Sequence, residues 1–171
     1  MTLKKIDHDF KNPQLSYDAK PNYQPYIKLS FYFSKLPHVS DEQFHRHWET
    51  VHADLTIAAK DFKVFGLRRY TQIHQTADLK DKARDLGNTL GIEHLDYDGC
   101  SEIWVEKWED WVNFSSSPEY AQAMNPDCKH FMKMPIRIQL FAGFENVVFG
   151  EAMPGVGGSA GVLPETLKTR D

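Results

Sequence analysis

From Tyr26 to Ser34 the chain reads YIKLSFYFS, with Ile27, Leu29, Phe31 and Phe33 at every second position. Successive side chains of a strand point to opposite faces, so this alternation is a strand buried on one side. Ser40 and Gln43 then form a Ser-x-x-Gln capping box, which opens a helical run over Asp41 to about Ala59. A second strand is expected over Lys63–His74, a third over Cys100–Glu106 and a fourth over Ile136–Phe149. Between the last two lies a helical stretch from Trp108 to Met134, with breaks expected at Ser115–Pro118 and again at Asn125-Pro126.

Strand–helix–strand twice over restricts the fold to an α+β class, the ferredoxin-like β-α-β-β-α-β arrangement. Its antiparallel sheet carries both helices on one face. Alternation puts Tyr32, Tyr70, Trp104 and Phe141 on the opposite face. An exposed aromatic row of that kind marks an interface. Two copies packed sheet to sheet would cover it, so a homodimer of the dimeric α/β-barrel type is expected.

The flanks read differently. Residues 1–25 are polar, with Pro13, Pro21 and Pro25 and no apolar period, and are expected to form an arm. The domain proper spans 26–149, and the stretch 150–171, with five Gly and two Pro, is expected to be an extended tail. The connection 75–99 is too long for a turn. Its segment Ala77–Leu86 suits a short helix, and an insertion of this length often covers a binding site.

Composition narrows the partners. Lys and Arg number 20 against 24 Asp and Glu, for a net charge of −4, which does not suit nucleic acid. No apolar run approaches the ~18 residues of a membrane span. The opening MTLKKIDHDF lacks the apolar core of a secretory signal, and two cysteines, Cys100 and Cys128, suit a reducing interior; a cytoplasmic location is expected. Aromatic residues reach 13%, beside eight His. Aromatic side chains line pockets for flat organic molecules, so a small aromatic substrate is the expected partner.

The most informative segment is SDEQFHRHWETVHADL, Ser40–Leu55. At about 100° per residue, Phe44, Trp48, Val51 and Leu55 fall in a band about 60° wide that forms the core stripe. His52 sits about 60° from the centre of that stripe, while His45 and His47 lie on opposite flanks. His52 is therefore the histidine expected at the seam between helix and sheet, where an imidazole can exchange protons near neutral pH. The alternative reading is a core histidine bonded to a backbone carbonyl. A metal site is not expected, because His47 and His52 are five apart rather than the four of an HExxH helix. No GxGxxG follows a strand and no Walker loop or CxxC pair occurs, and the late glycines Gly155, Gly157, Gly158 and Gly161 follow the last expected strand and precede no clear helix.

The blocks IKLSF at Ile27, SDEQFHRHWETVHADL at Ser40 and Arg69-Tyr70 together resemble the EthD-domain family. The stretch from Asp98-Gly99 through Glu102, Trp104, Trp111 and Pro126 to Phe131 looks like the second half of that domain. The F-H-x-x-W-x-x-x-H spacing of Phe44, His45, Trp48 and His52 is its most specific element. The resemblance implies a dimeric α/β barrel. It also implies likeness to fungal polyketide-pathway members that act without cofactors as dehydratases or decarboxylases. The expected activity is thus that of a cofactor-independent lyase, a dehydratase, on an aromatic polyketide or related phenolic compound. His52 would be the base, His47 an acid or orienting partner and Tyr70 the enolate donor. Phe31, Phe33, Trp48 and Trp104 would wall the pocket, and Arg69 would hold a carboxylate if the reaction were decarboxylation. A cyclase, a cofactor-free oxygenase and a non-catalytic small-molecule binder are the alternatives.

Overall fold

Alternation sets the first strand, β1 (Ile27–Phe33), and Ser40 caps the helix that follows. The Ser40 hydroxyl accepts from the Gln43 N–H while the Gln43 side chain accepts from the Ser40 N–H, so the expected capping box forms in full. Helix α1 (Asp41–His47) then widens into a π-helical turn over Trp48–His52 before continuing as α2 (Ala53–Ala58). A separate short helix, α3 (Lys60–Val64), occupies the first residues of the expected second strand, and β2 starts at Leu67 and ends at His74. The insertion folds as α4 (Ala77–Leu90), a longer helix than the sequence pattern suggests, closed by Gly91 in the left-handed region. β3 (Gly99–Val105), α5 (Trp108–Ser115), α6 (Pro118–Phe131) and β4 (Gln139–Gly143) complete the set. Of the 171 residues, the computed structural model describes 4–170.

The four strands form one antiparallel sheet in the order β2-β3-β1-β4, which is ferredoxin-like. Two expectations for the second half need correction. Pro126 lies inside α6 without ending it. Proline removes one backbone bond, but the turns on either side are held by buried Met124, Asp127 and Phe131. The fourth strand is five residues long, far shorter than Ile136–Phe149, and pairs with β1 only from Lys28 to Tyr32.

Register assigns the faces. Leu29, Phe31 and Phe33 pair with Ile103, Ser101 and Gly99, so all six share the helix side. One apolar cluster gathers Leu29, Leu67, Ile103, Val105 and Phe114, and another gathers Phe33, Phe44, Trp48, Phe131 and Met132. Gly99 is needed under the second cluster, since a Cβ there would fall 2.6 Å from the Trp48 ring. A β-bulge between Leu67 and Arg69 shifts the alternation of β2. Tyr70 therefore pairs with Ile103 and faces the helices, contrary to the outward position that unbroken alternation suggests. On the outer face Phe141 is 69% exposed, but Trp104 is buried, its ring flanked by Lys28 and Arg69.

The described chain divides into two compact units, residues 26–143 and the terminal segments 4–25 with 144–170. In the terminal unit the arm and tail fold against each other, so the tail is not simply extended. Gln24 N–H donates to Glu145 O, Val147 N–H donates to Asn22 O, and the Asn22 amide reaches the carbonyls of Val147, Ser159 and Ala160.

Candidate active site

Five residues along an ideal α-helix leave two side chains about 140° apart, so His47 and His52 would diverge. The π turn removes that divergence. Ala53 N–H bonds to Trp48 O, five residues back, and Thr50 assists by turning its hydroxyl onto the Arg46 carbonyl. Both imidazoles then meet one carboxylate. His47 Nε2 lies 2.8 Å from Asp127 Oδ1, and His52 Nδ1 lies 2.7 Å from Asp127 Oδ2.

Asp127 projects from α6 and is nearly buried. Burial pushes its carboxyl up, but the hydrogen bonds from His52 and His47, together with their charge, outweigh burial and hold it below the ordinary carboxylate value. An ionised carboxylate only accepts hydrogen bonds. His52 must therefore carry its proton on Nδ1, which leaves Nε2 with a lone pair in the neutral ring. This is the logic by which an acid–base histidine is oriented by a buried aspartate.

His52 lines a cavity of about 120 Å³ between the helices and the sheet, touching both apolar clusters. Phe31, Tyr70, Trp111 and Tyr120 form aromatic walls, with the Phe31 and Trp111 rings 4.8 Å apart. The other titratable groups on the wall stay protonated. Burial pushes Tyr70 up and carries Tyr120 to about 12. Cys128, raised by burial and by the Asp127 charge, reaches about 11. The imidazole is thus, among the described lining residues, the group whose ring nitrogen presents a lone pair to accept a proton. A larger cleft of about 410 Å³ lies in the terminal unit, but no His, Asp or Glu lines it.

Of the residues expected at the site, His52, Tyr70, Phe31 and Phe33 line the cavity. His47 stands behind it, bonded to Asp127. Trp48 does not reach the cavity: it is fully buried in the core, packed against Phe33, Phe44 and Gly99. Trp104 and Arg69 do not reach it either. They stack on each other across the outer sheet face, because the β2 bulge turns Arg69 outward as it turns Tyr70 inward. Sequence reasoning missed Asp127, Gln72, Trp111 and Tyr120. Asp127 had a usable signal, an acidic residue on the buried stripe of Met124 and Phe131, at positions i, i+3 and i+7.

Fold and site together define a ferredoxin-like α+β domain with a histidine–carboxylate cluster opening on an aromatic cavity. Residues 36–135 match the EthD domain, and the chain belongs to that family. A protein of Passalora fulva named decarboxylase claH is 30% identical over 107 residues, which is 62% of this chain and 68% of that protein. The dehydratase aurZ of Gibberella zeae is 23% identical over 120 residues, covering 69% and 78%. Among solved structures, an EthD family protein from Bacillus halodurans aligns over 70% of this chain and 98% of its own, at 16% identity and a TM-score of 0.46. No helix among the described residues is long and apolar enough to cross a membrane.

Proposed function

We propose that the protein is a cofactor-independent lyase that dehydrates a phenolic, polyketide-like substrate. The observation that carries the reading is the 2.7 Å bond from His52 Nδ1 to Asp127, which leaves Nε2 of a cavity-lining imidazole as a base. A cavity of about 120 Å³ suits a single aromatic ring, since a cavity of about 150 Å³ takes benzene. In this reaction His52 removes a proton from the carbon beside a substrate carbonyl. Tyr70 donates to the enolate oxygen, and the proton on His52 passes to the departing β-hydroxyl, which leaves as water. Asp127 holds the imidazolium between the two steps, and His47 anchors Asp127 from the other side.

Decarboxylation is the second reading, supported by the apolar walls and by the relative named decarboxylase. An apolar site strips water from a carboxylate and favours release of neutral carbon dioxide. Both readings include a homodimer formed through the outer sheet face, where Phe141 and Ile73 are exposed. The test is anaerobic turnover of single-ring and fused-ring hydroxylated β-hydroxyketones and the matching acids, with His52→Ala as control and thermal melting to report folding. We expect His52→Ala to lose about 100- to 10,000-fold in rate with an unchanged melt, and the released molecule names the reaction. Oxygen-dependent turnover would point to an oxygenase instead, and ligand binding without turnover to a binding protein.

A further inference from the structure

A second histidine pair lies against Trp48. His45 Nδ1 is 2.9 Å from His74 Nδ1, and His74 Nε2 is 3.2 Å from Gln72 Oε1. The Gln72 amide nitrogen reaches both the Trp48 carbonyl, at 2.8 Å, and the Tyr70 hydroxyl oxygen, at 2.7 Å. The direction of every bond in this chain follows from one group. A backbone carbonyl can only accept, so the nitrogen end of the Gln72 amide faces Trp48 and the oxygen end faces His74. His74 must then carry its proton on Nε2 and present a lone pair at Nδ1. His45 must carry its proton on Nδ1 to bond it. At the other end Gln72 donates to Tyr70, so the Tyr70 oxygen acts as acceptor there and its own proton is left for another partner. Tyr70 lines the cavity beside Thr56 and Ser101.

We infer that His45 and His74 are positioning residues: through Gln72 they hold the Tyr70 hydroxyl as a hydrogen-bond donor to the group that occupies the cavity. The inference deepens the lyase reading and rests on it for the role of Tyr70. Packing supports the arrangement, since the His74 ring lies tilted against Trp48 with centroids 4.4 Å apart and both histidines are half-buried. Burial also holds both rings below the ordinary imidazole value, with Asp41, Glu49 and Asp98 pulling the other way and Lys35 adding to the depression. The pair is therefore neutral at pH 7.5, as the tautomers require.

Two readouts decide it. In the full chain labelled with 15N-histidine, nitrogen–proton correlation spectra at pH 7.5 should find His74 protonated at Nε2 and His45 at Nδ1. His74 protonated at Nδ1 alone would overturn the inference, with or without a known substrate. The kinetic test compares Gln72→Met, Tyr70→Phe and the double variant on whichever phenolic β-hydroxyketone or acid the wild type turns over. Gln72→Met should lower kcat about 10- to 100-fold with little change in KM. It should add nothing once Tyr70→Phe is present, because it acts only through that hydroxyl. Independent, multiplying losses would sink the inference while leaving His52 and the lyase reading standing. If the wild type turns over nothing, the lyase reading fails and the tautomers alone decide whether the chain aims Tyr70.

Discussion

At the residue scale the centre of the site is Asp127, whose two oxygens serve two histidines. Asp127→Asn keeps the shape but replaces one accepting oxygen with a donating nitrogen, so one imidazole loses its partner or flips its tautomer. Steady-state kinetics on the turned-over substrate should show kcat lower by about 100- to 10,000-fold, with KM nearly constant. The His45–His74 pair makes a separate prediction about pH. Their folded values lie below the ordinary imidazole value, so the unfolded chain takes up protons first as pH falls. Stability linked to the pair is complete above about pH 6.5 and is lost as pH drops through the folded values. Melting curves between pH 7.5 and 5 should fall toward acid, and His74→Gln should flatten that fall relative to the wild type.

At the element scale the π turn is the decisive feature. Helical periodicity finds Phe44 and Trp48 in the core and His52 on the cavity wall, but the Val51 it places in the same stripe is 47% exposed and Leu55 is only half-buried. It misplaces His47, because 100° per residue holds only while backbone bonds run four residues back, and here Ala53 bonds five back. Deleting Thr50 removes the extra residue and leaves the two histidines four apart on a continuous α-helix, about 40° from each other and still on one face. Circular dichroism should then show helix content retained and turnover should stay within about 10-fold of the wild type, since both imidazoles can still meet Asp127. The β2 bulge is the same kind of event in a strand. One added residue exchanges Tyr70 for Arg69 at the inner face, and no alternation pattern announces it.

At the scale of the whole molecule the proposed dimer rests on the outer sheet face. The sequence marks four aromatic residues there, but only Phe141 is openly exposed, with Tyr32 half-buried, Trp104 covered by Lys28 and Arg69, and Tyr70 on the other side. Phe141→Asp would place a charge on that exposed face, on edge strand β4. Sedimentation should show the wild type at twice the chain mass and the variant as a monomer. The strand order, the capped helix and the identity of His52 as the histidine at the seam were all legible from residue spacing. They are local properties: periodicity and caps act within a few residues of chain, and each agrees with its neighbours. Which residues complete the site was decided only by packing. Asp127 stands 75 residues from His52, and Gln72 of β2 reaches the Trp48 carbonyl 24 residues away. A partner that distant is selected by the burial that brings α6 and β2 against the π turn, and no local spacing in the chain encodes the meeting.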